Sequence, residues 1–525
     1  MPSVVIVGAG IGGVSFAIAL RSKLNVDDFI IYEKASDVGG TWRDNIYPGA
    51  SSDVGMHFYS LSTDLNPDWP STHGSQKDTQ KYWSQLASKY AIYPKIQFNT
   101  RVISATWSRE KLEYDIVVED VVKGERSRTS ARVLISAVGL LEVPRFPDIS
   151  GVDTFAGPKF HSARWDTGVN LAGKRVAVIG NGASSTQFVP IISEDPSVQV
   201  TQFCRTPNWL LPPIRADYSD LEKWSFRNVP FLMRFYRFLL YLRSELLYTL
   251  VFARKYIRDN TARGAKSYIV QNAPKELLEH LVPKYSLGCK RVIFDTDFLK
   301  SLHRPNMKLN WDGIQSISED GVITSKGQKL SFDVMIFATG FTADRYPLHV
   351  IGDEGISVQK YYDSQGGPKG YLGTTIPGFP NLFLIAGPNT TTGHTSVILT
   401  EEIQINYILK FVQPLLANEV KAFSITPIAT DAYNALIHER LARSVFVQCI
   451  SWYRTGGEGK VSSIFPGPMA LYQWWMRRPM WEDYEIMGAT EEWKAGVWWG
   501  MILRMVNPFH YLGLLVGWFL AWVSL

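Results

Sequence analysis

The 525-residue chain is 46% hydrophobic and 20% charged, a composition that excludes the disordered and collagen-like classes. Its length implies three or four units at ~150 residues each, or two or three if a large α/β fold is present. Fifty-four basic against 49 acidic side chains leave a formal charge of +5, too small at this length to argue for a nucleic-acid partner.

In chain order, Ser3-Val4-Val5-Ile6-Val7 reads as a buried strand that runs straight into a glycine turn, so no removable leader is expected. A helix over roughly Gly12–Lys23 and a strand at Phe29-Ile30-Ile31-Tyr32 complete a βαβ opening. A loop-rich stretch follows to about residue 80, then strand patterns at 113–122 and 132–138, then a Pro/Gly-rich linker at 143–158. Arg175-Val176-Ala177-Val178-Ile179 repeats the strand–glycine–helix design, with Val198–Phe203 as its second strand. Residues 217–282 read as largely helical. Within them an apolar stretch, 231–252, is interrupted by Arg234, Arg237, Arg243 and Glu245, too charged to span a bilayer cheaply, and reads as an amphipathic helix of an insertion. Strand patterns recur near 291–294, 306–310, 332–338 and Asn381–Ile385, and a helix is expected from about Ser396 to Val412.

The chain after 450 is rich in Trp and Pro. No charged residue follows Arg504 through Leu525, and these 21 residues match the ~20 that a spanning helix needs. Trp498, Trp499, Trp518 and Trp522 flank or sit within this tail like an aromatic belt. The tail is expected to associate with a membrane, by spanning it or lying on it; packing against the protein is the other reading. Cys204, Cys289 and Cys449 are scattered without CxxC or zinc spacing, so no disulfide framework is expected and a reducing compartment is inferred. The nine histidines show no metal-ligand spacing, and no metal is expected.

The two βαβ openings carry the argument. Gly8-Ala9-Gly10-Ile11-Gly12-Gly13 fits G-x-G-x-x-G: Gly8 for the tight turn, Gly10 for close approach of a pyrophosphate, Gly13 for helix–strand packing. Glu33, ending the second strand, is placed to accept hydrogen bonds from ribose hydroxyls. In the second copy, Gly180 and Gly182 are kept, Ser185 replaces the third glycine, and Arg205 stands at the acid's offset. An arginine there would clamp a 2′-phosphate that a carboxylate would repel. The first site therefore reads as FAD and the second as NADPH, and the pair implies hydride transfer from NADPH to flavin.

Phe155-Ala156-Gly157-Pro158-Lys159-Phe160-His161-Ser162-Ala163-Arg164-Trp165-Asp166 matches F-x-G-x-x-x-H-x-x-x-W-[P/D], the fingerprint of Baeyer–Villiger monooxygenases. Gly39-Gly40-Thr41-Trp42, the Tyr47-Pro48-Gly49 segment ending at Asp53, Leu287-Gly288-Cys289-Lys290-Arg291, Asp333 with Ala338-Thr339-Gly340-Phe341, Gly387-Pro388-Asn389 with His394 and Glu402, and Ser451-Trp452-Tyr453 resemble further family landmarks in the family's order. The resemblance covers about residues 3–475, and the chain is most similar to fungal members acting in secondary metabolism.

The resemblance implies that FAD is held by Gly8, Gly10, Gly13 and Glu33, with Gly40, Thr41, Trp42, Asp53 and Tyr59 around the flavin. Arg291, paired with Asp53, would sit over the ring. Gly180, Gly182 and Ser185 would take the NADPH pyrophosphate, Arg205 and Lys290 its 2′-phosphate, and Trp452 the nicotinamide half. Phe155, Gly157, His161 and Trp165 would form the hinge between the two nucleotide domains. The implied activity is Baeyer–Villiger oxidation of a hydrophobic ketone by O₂ to an ester or lactone, through an anionic C4a-peroxide that a permanently charged guanidinium stabilises. Bland readings stand beside these. Arg291 could be an ordinary ion-pair arginine, Arg205 a surface residue, Asp53 a turn residue, Lys290 solvated and Trp42 core, while His161 is read as positional. N- or S-oxygenation or hydroxylation by the same peroxyflavin, membrane-peripheral NAD(P)H:quinone reduction and a catalytically silent nucleotide-binding protein are the competing functions; Trp165 argues against N- or S-oxygenation, Arg205 and the fingerprint against quinone reduction, and the retained arginine, aspartate and fingerprint against a silent protein.

The expected fold class is α/β, with two Rossmann-like dinucleotide-binding domains, a helical insertion and a hydrophobic C-terminal tail. Residues 1–145 would be the first part of the FAD domain, 146–330 the NADP domain with its insertion at 217–282, and 331–450 the second part of the FAD domain. A Trp-rich segment, 451–504, and the tail, 505–525, would follow. The expected location is the cytoplasmic side of a membrane, held by the tail.

Overall fold

The computed structural model describes residues 2–505, so the expected tail, apart from its first residue, lies outside the described residues. Among the described residues no helix is long and apolar enough to cross a membrane.

Two parallel five-stranded sheets organise the chain. In the first, Val4–Val7 lies between Phe29–Tyr32 and Val133–Ser136, with Ile96–Gln97 and Leu382–Leu384 at the edges. All four residues of Val4–Val7 are buried, as a strand covered on both faces requires. The order reverses direction across this strand, which opens a crevice beyond its carboxyl end where the glycine turn begins. The second sheet repeats the plan. Arg175–Ile179 lies between Gln199–Phe203 and Val334–Phe337, with Met307–Asn310 and Lys159–His161 outside. Val334–Phe337 falls beyond the expected boundary at 330/331, yet it pairs residue for residue with Val176–Ile179. The chain leaves the second sheet only after Phe337.

The remaining elements brace these sheets. An antiparallel set, Thr100–Ser108, Glu113–Asp120 and Arg126–Ala131, with His349–Ile351 alongside, packs on the first sheet through its own apolar cluster. The stretch read as loop-rich to residue 80 contains the start of a helix, Gln76–Lys89. Its capping box was written in the sequence: Ser75 accepts from the Asp78 amide, and Asp78 accepts from Ser75. The insertion is helical, with Asp220–Asn228, Leu232–Tyr248, a π-helical turn at Thr249–Ala253, and Lys255–Asn272.

The cysteine reading needs correction. Cys289 and Cys449 form a disulfide, their Cα atoms 6.1 Å apart across a sequence separation of 160. No local spacing could announce this pair, because the fold alone brings its two loops together. The inference to a reducing compartment loses its premise. Cys204 is free and buried.

Candidate active site

The first glycine turn is built from close backbone approaches. Gly8 has φ +101°, a conformation that side chains resist. A Cβ on Gly13 would overlap the Gly8 carbonyl oxygen. Gly10 and Gly40 face each other, so that a Cβ on Gly40 would lie 3.0 Å from the Gly10 Cα. Thr41 and Trp42 follow as a short helix, Thr41–Asp44. Glu33 is buried at the end of the second strand; its Oε2 accepts from the Ala9 amide at 2.7 Å and its Oε1 from the Ala35 amide at 2.9 Å. The carboxylate thus braces the turn itself. Each oxygen retains a lone pair for a ribose hydroxyl. Trp42 Nε1 donates to the Tyr59 hydroxyl at 3.1 Å, their rings edge to face. Burial raises the Tyr59 phenol, so it stays protonated.

The second turn follows the first with two changes. Gly180 has φ +109°, and Gly182 N-caps the helix Ala183–Ile192 with open space where a side chain would be. Ser185 is buried, and its hydroxyl folds back to donate to the Gly182 carbonyl at 2.9 Å, which is how a serine fits here. Arg205 is exposed at the end of the second strand. Lys290 Nζ donates to Thr206 Oγ1 at 2.5 Å, and burial, then the charge of Arg205, depresses the Lys290 ammonium below the usual lysine range. Two neighbouring cations, neither in an ion pair among the described residues, suit a dianionic ligand.

Ion pairs and hydrogen bonds join the two units, and one of the ion pairs is Arg291 with Asp53. Arg291, just before the short strand Ile293–Phe294, donates through Nε to Asp53 Oδ2 at 3.0 Å and through Nη2 to the same oxygen; the residues are 238 positions apart. The charge of Asp53 raises the guanidinium's already high pKa further. Both side chains are about one-third exposed (36% and 33%). Tyr453 is buried behind them, and burial pushes its phenol up to about 12. The disulfide ties the two loops together: Cys289 stands two residues before Arg291, and Cys449 three before Trp452, whose ring lies 4.7 Å from that of Tyr453. Further cross-ties are Tyr47 to Gln187 at 2.9 Å, Gln187 to the Ser51 carbonyl at 3.1 Å, and Arg164 to Asp44 at 3.2 Å.

The fingerprint residues are positional. Phe155 is core, and a Cβ on Gly157 would press on the Asp333 carbonyl oxygen at 2.6 Å. His161 ends a strand, its Nδ1 accepts from the Ala163 amide at 3.1 Å, and burial lowers its imidazole to about 4, so it is neutral. Trp165 packs edge to face on Phe160 and on Phe188 of the second nucleotide helix.

One feature escaped the sequence reading. Glu401, in the helix Val397–Leu416, is buried against Gly12 of the first nucleotide helix, and its Oε2 has no hydrogen-bond partner among the described residues. Burial, with the neighbouring Glu402 charge second, pushes its carboxyl up to about 8. Glu402 accepts from the Ser62 amide at 2.7 Å and pairs with Arg237 of the insertion at 3.4 Å. The adjacent Glu401-Glu402 pair was visible in the sequence; which member faces inward was not.

The chain matches the flavin-binding monooxygenase-like family over residues 2–360. It is 34% identical to a Baeyer–Villiger monooxygenase of Streptomyces coelicolor over 498 residues, covering 92% of each chain. It is likewise 34% identical to the FAD-binding monooxygenase ktnD of Aspergillus niger, over 93% of this chain and 82% of that one. Its fold superposes on a cyclohexanone monooxygenase from Rhodococcus bound to NADP⁺ with a TM-score of 0.79 at 26% identity, covering 93% of this chain and 100% of that one. The chain belongs to the flavin-binding monooxygenase-like family and is an FAD- and NADPH-dependent monooxygenase.

Proposed function

We propose that this enzyme carries out Baeyer–Villiger oxidation of a hydrophobic ketone of secondary-metabolite type, using O₂ and NADPH to give an ester or lactone. The Arg291–Asp53 pair carries the reading. Bound FAD supplies acceptance of hydride from NADPH and activation of O₂. The residues present fit it: a side-chain-free approach at Gly10 and Gly40, lone pairs on Glu33, and an uncharged wall of Trp42 and Tyr59.

Insertion of oxygen beside a carbonyl builds negative charge on oxygen during attack on the carbonyl carbon. Arg291 offers a cation there that keeps its protons throughout, because Asp53 strengthens its hold on them. Asp53 orients the guanidinium by using the Nε edge and Nη2, which leaves Nη1 without a hydrogen-bond partner among the described residues. Arg205 and Lys290 distinguish NADPH from NADH by charge. The disulfide and the cross-ties at Tyr47, Gln187 and Arg164 hold the units in register, which keeps water from the reacting oxygen.

The test is product mass from a ketone panel. Wild-type enzyme should add one oxygen to a ketone, whereas Arg291→Ala should lose this by about 10²–10³-fold while NADPH still reduces the flavin. Wild-type yield in that variant, or N- or S-oxides as the only products, would overturn the reading. We also infer attachment to a membrane through residues 505–525, on the strength of their charge-free sequence. Deleting them should shift the protein to the soluble fraction.

A further inference from the structure

The insertion helix Leu232–Tyr248 is amphipathic the wrong way round. Three of its polar side chains, Arg237, Ser244 and Glu245, point inward. Arg237 donates to the carbonyls of His57, Phe58 and Ser60 at 2.8, 3.2 and 2.9 Å, and pairs with Glu402. Ser244 donates to Thr395 at 3.4 Å, and Glu245 accepts from the Met469 and Ala470 amides at 3.0 and 3.3 Å. These bonds set the helix's rotation, so its outer face cannot turn inward without breaking them.

The outer face follows the 3.6-residue repeat. Phe231, Phe235 and Phe238 are 80, 57 and 51% exposed, and Leu239, Leu242 and Leu246 are 44, 45 and 58% exposed. With aromatic side chains of roughly 150–250 Å² each, the stripe exposes on the order of 600 Å². That is the upper end of what monomers leave bare, and such patches are often functional. The only charged residues on this face are Arg234 and Arg243, both exposed and neither in an ion pair among the described residues. At 1.5 Å per residue they stand about 13 Å apart along the axis. The neighbouring helix Asp220–Asn228 adds exposed Leu221 and Trp224; of its two first-turn acids, Glu222 is engaged by the Ser219 cap and Asp220 is exposed at the helix start.

We infer that this face docks on a bilayer surface rich in anionic lipid, with the Phe and Leu side chains among the acyl chains and Arg234 and Arg243 at headgroup phosphates. Charge selects this occupant. A second copy packed by a two-fold on the same face would set arginine against arginine. Residues 506–525 carry no acidic side chain to meet the two cations. Lipid phosphate meets both, and a basic amphipathic face of this kind is how helices lie in an interface. The inner side of the same helix rests on the 53–60 segment that carries Asp53 and Tyr59, with Leu240 3.5 Å from where a Gly55 side chain would begin. Docking would therefore place the catalytic loops just behind the lipid surface. It involves residues outside both the tail and the reaction, and stands or falls separately from the proposed chemistry.

The test labels Leu239→Cys of the full chain with an environment-sensitive fluorophore, since Cys204 is buried and Cys289 and Cys449 are bonded. Phosphatidylcholine vesicles with 30% phosphatidylglycerol should shift the emission to the blue. Pure phosphatidylcholine should shift it far less, and high salt should weaken the effect. Phe235→Glu with Leu242→Glu should cut partitioning onto the anionic vesicles at least tenfold, with FAD content and turnover of a small water-soluble ketone unchanged. A label that stays aqueous while the protein sediments with vesicles would assign binding to the tail and overturn the inference. So would a blue shift without lipid, whether it tracks protein concentration as for a second copy or is independent of it as for coverage by the tail.

Discussion

The two nucleotide turns share a plan and differ at two positions, and those positions separate structural need from ligand choice. At the third glycine, Gly13 is pressed against the Gly8 carbonyl, whereas Ser185 has room to fold its hydroxyl onto Gly182. Space decides that position. At the end of the second strand, Glu33 is buried and tied to the turn by two amides, while Arg205 is exposed beside Lys290. Charge decides there. The first turn is therefore rigid and self-braced, and the second is more permissive in shape and stricter in electrostatics.

The comparison breaks most visibly at the third glycine. Gly13→Ala should abolish FAD retention, measured as flavin absorbance per protein, because no side chain can relieve a clash with a backbone carbonyl. Ser185→Gly should cost no more than about 1 kcal/mol of stability, the price of glycine in a helix. Comparable losses in both would show that the turns are equally tight. The next effect lies in the strand-end charges. Arg205→Ala should raise KM for NADPH by about 10–100-fold, matching a lost charge-assisted contact of ~1.5–3 kcal/mol, and leave KM for NADH nearly unchanged. Equal changes for both cofactors would remove Arg205 from phosphate recognition.

The smallest effect concerns Glu401, packed behind the first turn. Its folded pKa is raised to about 8 by burial. Its contribution to stability is thus complete below the ordinary carboxyl range and is lost as pH rises through about 8. His57, fully buried, runs the other way. Burial, then Arg237, lowers it to about 4, so its contribution is complete above the ordinary imidazole range and is lost as pH falls toward 4. The melting temperature should accordingly fall on both sides of about pH 6. Glu401→Gln should flatten the alkaline side alone, by on the order of 1–2 kcal/mol. An unchanged alkaline limb in that variant would show that Glu401 is ionised in the folded protein.

How far the sequence could be read follows the range of the interactions. Val4–Val7, Gly8 and the helix Ile11–Leu24 were legible because each depends on neighbours a few residues away. The insertion's helices were legible as helices. Their orientation was not, since Arg237 turns inward only because the carbonyls of His57, Phe58 and Ser60 lie beneath it. The strand Val334–Phe337 looked like the opening of a new unit, and only its register with Val176–Ile179 shows which sheet owns it. The helix Gln76–Lys89 was missed despite its capping box, because its apolar face is sparse between Gln, Lys and Ser.

By itself, then, the sequence determined the two glycine turns, the acid and the arginine that end their second strands, and the linker between them, because steric limits on backbone angles and strand alternation act within a few residues. Only the tertiary structure decided that Asp53 meets Arg291, that Cys289 bonds to Cys449, that Glu401 rather than Glu402 is sealed behind the first turn, and that Phe231, Phe235, Phe238, Leu239, Leu242 and Leu246 face outward together. Each of these depends on which distant surfaces pack together, and burial is a property of the assembled whole.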